Sequence, residues 1–262
     1  MTEPSDGLVH YRVAAGVATI TLDSPANRNA LSQALMSQLS AHLGAAQDDP
    51  TVRVIVLAHT GRVFCSGMDL TEARGAGASE MGVRAFPTIL QALWDSPKPV
   101  VAQIAGAARA GGVGLIAACD IAVSTQQATF AFTEVRLGLI PAIISVPVLP
   151  RLLPRAAQEL FLTGSVFDGV RAAQIGLVNA AVPASELEAT TAAYVADLIK
   201  GGPAALAATK ALLRRTPAAT MADDFTDMLE ASARFFASDE GQEGIAAFGE
   251  KRPPRWIPAS SD

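Results

Sequence analysis

The sequence predicts an α/β protein with a helical C-terminal part. Short β-branched runs alternate with helix-period stripes through the first two-thirds of the chain, a pattern that favours crossover connections and a largely parallel sheet. Beyond about Ala184 the strand runs cease and Ala-rich helical stretches take over. Composition agrees: half of the 262 residues are hydrophobic but only 5% are aromatic, which suits helices over buried strands better than an aromatic-rich sandwich. The length allows one large domain or a main domain with an appendage.

Taken in order, GVATITL at residues 16–22 is bounded by Gly and by Asp-Ser-Pro, as a strand would be. Leu31, Leu35, Leu39 and Leu43 then recur every fourth position and predict a helix over residues 30–46, stopped by Asp48-Asp49-Pro50. VRVIVLAH at 52–59 is almost wholly apolar, the pattern of a strand covered on both faces. A helix ending near Trp94, a strand at 99–104 and two further strands within 121–132 complete the alternation. SELEATTAAYVADLIK and PAALAATKALLRRT supply the later helices, and the Pro-rich tail KRPPRWIPASSD reads as frayed at its end. The sequence shows no internal repeat.

Charge narrows the function classes. Formal net charge is −5, with four lysines and dispersed arginines, so no basic stripe is available for nucleic-acid phosphates. The start MTEPSDGLVHYRV lacks a secretory leader's basic and apolar regions, and no uninterrupted apolar run reaches membrane-spanning length, so the expectation is a cytoplasmic protein. Cys65 and Cys119 have no ligand or disulfide spacing and read as reduced and partly buried. His10, His42 and His59 fit no metal spacing or triad and read as surface or strand-end residues; no metal is expected.

Three segments can carry chemistry. In AGAARAGGVGLIAACD, residues 105–120, glycines join a strand to a short buried helix starting at Gly112. Such a turn can present free N–H groups to developing negative charge, or its glycines can simply permit close packing. They do not complete GxGxxG. In VFCSGMDLTEA, residues 63–73, Asp69 and Glu72 have capping-box spacing, which favours a structural role for Asp69, while the Met68 N–H beside Gly67 is the more useful donor. In residues 128–153, Glu134 is the only carboxylate in an apolar neighbourhood. Burial would raise its pKa and suit it to take and return a proton; alternatively it pairs with Arg136, on the same face if the segment is extended. Asp168 reads as the cap of a helix before Gly176. Arg109, two residues before Gly111, faces either a subunit contact, the favoured reading, or the substrate.

The motifs SPANRNAL, FCSGMDL, KPVVAQIAGAARAGGVGLIAACD, FAFTEVRLGLIP and LTGSVFDGVRAAQIGLVN occur in that order, and the chain from about residue 9 to 256 resembles the enoyl-CoA hydratase/isomerase (crotonase) family. The resemblance implies a spiral of ββα units over residues 1–195, which also holds the CoA and acyl site. It further implies a helical oligomerisation region over 196–262 and a homotrimer or hexamer. It also implies a cytoplasmic enzyme of fatty acid metabolism that acts on an acyl-CoA thioester, with no cofactor because coenzyme A is part of the substrate. By the same resemblance Met68 and Gly111 hold the thioester oxygen, Glu134 is the acid/base, and Arg28, Ala30, Ser66, Asp69 and Leu70 line the CoA path. Arg109, Gly114 and Thr133 complete the implied substrate contacts.

Three departures bear on the reaction. Gly114 stands where the two-carboxylate hydratases of the family have a Glu, leaving Glu134 alone and suggesting room for a bulkier or branched acyl group. Ala26 replaces a basic residue near the start of the CoA path, which Arg28 partly substitutes. PAIIS at 141–145 replaces a Gly-rich turn. Hydration of a 2-enoyl-CoA is the leading expectation and Δ3/Δ2 isomerisation the alternative, with thioester or carbon–carbon hydrolysis and non-catalytic acyl-CoA binding behind them.

Overall fold

The computed structural model describes residues 7–72, 78–216 and 219–258, and their side chains apart from 78–84 and 222. The first six residues of the chain, on which part of the leader reading rests, and the last four of the tail read as frayed lie outside the described residues.

Among the described residues, ten strands form two sheets. β1 (Val9–Ala14) and β2 (Val17–Leu22) make an antiparallel hairpin, and β3 (Val54–His59), β5 (Val100–Ile104), β7 (Ile121–Thr125) and β10 (Ala180–Val182) extend it in parallel, in the order β1-β2-β3-β5-β7-β10. The short strands β4 (Val63–Cys65), β6 (Ala107–Arg109), β8 (Thr129–Ala131) and β9 (Phe167–Asp168) form the second sheet, parallel up to β8. β3 and β5 are thus each followed by a short strand and then by helix: β3, β4 and α2 (Ala78–Asp95), then β5, β6 and α3 (Gly111–Ala118). The repeat lies in the backbone, which is why residue identities showed none.

The apolar patterns place these layers. On β3, Ile55 and Leu57 enter the main core, whereas Val54 and Val56 face the other way, in a cluster with Val101 and Val195. Val195 belongs to α7 (Leu187–Lys200), which covers that second face. Residue 195 therefore lies inside a helix packed on the sheet, and Gly201-Gly202 separates that helix from α8 (Pro203–Arg214). α9 (Met221–Ala237) and α10 (Asp239–Glu250) follow, and α10 is tied back by Glu240, whose carboxylate accepts from the Ala204 and Ala205 N–H groups at the start of α8. α8 is anchored to the sheet where Asp120 meets Lys210 and Arg214, each at 2.6 Å, and accepts from Val100 N–H at 2.8 Å.

α1 (Gln33–Asp48) buries Leu35, Leu39 and Leu43 as the stripe requires, and Ser32 caps it by accepting from Leu35 N–H. It starts later than the leucine spacing predicted because Leu31 forms a bridge with Met68 instead of a helical turn. Both cysteines are fully rather than partly buried, and burial pushes the Cys65 thiol up to about 12. Among the described residues no helix is long and apolar enough to cross a membrane, and no cluster of metal-ligating side chains occurs.

Candidate active site

Two turns and one short helical segment converge on a cleft of about 460 Å³. The first turn follows β4. Gly67 adopts φ +89°, and a Cβ there would meet Ala110 Cβ at 3.0 Å and Gly111 N at 3.4 Å, so this turn and the start of α3 touch. Leu31 clamps the turn from outside, donating its N–H to Gly67 O at 2.8 Å and accepting from Asp69 N–H. That bridge uses the residues on either side of Met68 and leaves the Met68 N–H free.

The second turn precedes α3. Ala110 sits at φ 47°, a backbone state that L side chains rarely adopt, and its own N–H donates to Ala131 O. This sharp entry puts Gly111 at the first helical position, where an N–H has no intrahelical acceptor. Among the described residues neither the Met68 nor the Gly111 N–H has a hydrogen-bond partner. Both readings of the glycines hold together: Gly112 also permits close packing, since a Cβ there would lie 2.4 Å from Cys65 O.

The opposite wall carries Glu134, in a 3-10 segment, Thr133–Leu137. Its Oε2 is buried and has no partner, and burial raises the carboxyl above its ordinary range, partly offset by its own backbone N–H. The Arg136 ion pair is overturned: the segment is helical rather than extended, so the two side chains diverge, and Arg136 Nε donates to Thr163 O. Among the described lining residues Glu134 is the only titratable one; Phe86, Leu137, Leu139 and Ile143 make most of the wall apolar. A carboxyl that keeps its proton longer than usual, in one apolar cleft with two unpaired donors, can move a proton beside a carbonyl whose oxygen gains charge.

Of the other expected positions, Ser66, Leu70 and Thr133 line the cleft. Arg28, Ala30 and Asp69 do not. Arg28 is exposed and its carbonyl accepts from Ser66 N–H, while Ala30 is buried behind the turn. Asp69 accepts from the N–H and hydroxyl of Thr71, which hold its carboxyl below the usual range, and also from Glu72 N–H. The capping box is only half formed, because Glu72 instead accepts from Gln33 N–H at the start of α1. Arg109 does not reach the acyl site: its guanidinium donates to Thr129 O at 2.6 Å and Thr129 Oγ1 at 2.9 Å, linking the two inner strands of the second sheet. Asp168 caps α6 (Gly169–Gln174) by accepting from Arg171 N–H, as expected.

Gly114 departs most from expectation. It leaves no room, because a Cβ there would lie 2.7 Å from Ile144 Cγ2 and 3.2 Å from Ile144 Cβ. Ile144, on α4 (Ala142–Val148), occupies the space; it belongs to the PAIIS segment singled out in the sequence, where nothing tied it to Gly114. Asn29 was also missed. Fully buried at φ 52°, it accepts from Ser24 N–H and donates to Thr60 O and Val63 O, fixing the loop that delivers Leu31 to the Met68 turn. An Asn ahead of a helix cap was its only signal.

Residues 12–258 match the sequence profile described as enoyl-CoA hydratase/isomerase. The chain is 31% identical over 256 residues to the carnitinyl-CoA dehydratase of Proteus mirabilis, covering 95% of this chain and 97% of that one. Among solved structures, an enoyl-CoA hydratase of Mycobacterium smegmatis superposes with a TM-score of 0.88 at 33% identity, over 96% of this chain and 99% of that one. One from Mycobacterium avium does so with a TM-score of 0.73 at 46% identity, over 96% and 99%.

Proposed function

Because the chain belongs to the enoyl-CoA hydratase/isomerase family, we propose that it adds water across the double bond of a 2-enoyl-CoA, with Glu134 as sole acid/base. The observation that carries this is the buried, unpartnered Glu134 Oε2 in a cleft that also holds two free N–H groups. The thioester oxygen accepts from Met68 and Gly111. Glu134 takes a proton from water as its oxygen bonds to C3, the electrons of the double bond pass to the thioester oxygen, and Glu134 returns the proton to C2. Each backbone donor contributes about 3 kcal/mol to the enolate-like transition state. The hydratase names of the solved structures and the low polarity of the cleft support this reading.

Ser66 and Leu70 on the cleft wall and Thr133 beside Glu134 are positioned to touch the thioester arm, and exposed Arg28 offers the CoA phosphates a charge that Ala26 lacks. No cofactor takes part. Assembly as a trimer or hexamer is supported by the exposed apolar residues Phe225, Leu229 and Phe236 of α9 and Phe248 of α10.

A second reading, Δ3/Δ2-enoyl-CoA isomerisation, is favoured by Ile144, which leaves the space at Gly114 apolar and filled. One base then moves a proton between carbons and no water is needed. Incubation with 2-enoyl-CoA and 3-enoyl-CoA, followed by mass spectrometry of the acyl-CoA, separates the readings. Gain of one water supports hydration, an unchanged mass with a moved double bond supports isomerisation, and no conversion of either substrate leaves acyl-CoA binding alone.

A further inference from the structure

Ile143 lines the catalytic cleft. That side chain also lines a second cavity of about 500 Å³ between α2 and α4, whose other walls include Pro87, Leu90 and Trp94 of α2 and Val146 and Pro147 of α4. α2 passes both spaces, with Phe86 in the cleft and Trp94 at the far part of the groove, a separation of about 12 Å along the helix. Trp94 makes a firm end wall: the guanidinium groups of Arg151 and Arg214 lie over its ring at 4.7 and 4.5 Å from the centroid. Asp95 also lines the cavity at this end.

We propose that the acyl site continues past Ile143 along the α2–α4 groove to the Trp94 indole, so that the preferred substrate carries a long hydrocarbon acyl chain. The inference rests on the acyl-CoA reading above. The groove shares a wall residue with the cleft that holds Glu134, and an acyl thioester held there sends only its hydrocarbon chain away from the reacting carbons. Both spaces are lined mainly by apolar side chains, and a hydrocarbon chain leaves no polar group unpaired among them. Ile144 closes the cleft over Gly114, and Ile143, the next residue, borders both spaces.

The test is kcat/KM for 2-enoyl-CoA chains of about four to about twelve carbons, where each methylene newly buried contributes roughly fourfold. The expected profile climbs with length and levels off once the chain reaches Trp94. Val146→Trp, at a position 74% exposed and tolerant of size, and Ile143→Trp should each lower the long-to-short ratio at least about tenfold by filling the groove. A flat profile in the unsubstituted protein, or an unchanged ratio in a folded Val146→Trp variant, would overturn the proposal. Should no enoyl chain be turned over, the hydratase and isomerase readings fail. The groove is then judged by calorimetry with saturated acyl-CoAs, where equal affinity for long and short chains overturns it.

Discussion

Ile144 occupies the volume into which any side chain at Gly114 would project, with its Cγ2 2.7 Å from the position of a Cβ there. The contact explains how a helix buried along all eight residues reaches the wall of α4 so closely. It also makes the two positions interdependent, since a branched side chain on a short helix has few ways to move aside.

Gly114→Glu should therefore lower stability by about 3 kcal/mol or more, from overpacking against Ile144 and from taking a carboxyl group into an apolar site. Adding Ile144→Ala should recover part of the loss. Urea denaturation of both single variants and the double variant reads the coupling, and strict additivity would show that the two side chains do not compete for space.

Gly67 links the two donor turns. Gly67→Ala places a Cβ 3.0 Å from Ala110 Cβ at a φ that disfavours it, so stability should fall by about 1–3 kcal/mol. Since the Met68 N–H rides on this turn, kcat should fall about tenfold or more while KM changes less. Steady-state kinetics on the folded variant checks the split.

The raised Glu134 carboxyl has two pH signatures. Activity needs its ionised form to accept a proton, so the acid limb of kcat/KM should lie above the ordinary glutamate range. For stability, a carboxyl raised in the native state binds more protons there than in the unfolded chain. Its favourable contribution is present below the unfolded pKa and is lost as pH rises through the native one. Glu134→Gln should accordingly raise Tm at neutral pH and change it little in acid, a comparison open to thermal melts across that range.

Much of this was legible in the chain. The long apolar runs that became β3, β5 and β7 stood out because both faces are covered, and the leucine stripe of α1 because helix period and burial coincide. β4 and β6 were not assigned as separate strands: each has three residues, too few for an alternation to show, and their pairing is set by the long strands that precede them.

The site divided in the same way. Glu134 was marked by its solitude among apolar residues, and Met68 and Gly111 by neighbouring glycines together with the family resemblance. Which other residues surround them depends on tertiary placement. Arg136 turned away because the local backbone is 3-10, Arg109 was drawn to Thr129, and Ile144 arrived from a segment thirty positions beyond Gly114. None of these follows from spacing.

The central claim is that Glu134 alone moves the proton. Turnover of enoyl-CoA by the unsubstituted protein and by Glu134→Gln, with the fold of both verified by circular dichroism, tests it most directly. The account predicts a fall in kcat of about a hundredfold or more with acyl-CoA binding retained. Equal turnover by the two proteins would contradict it.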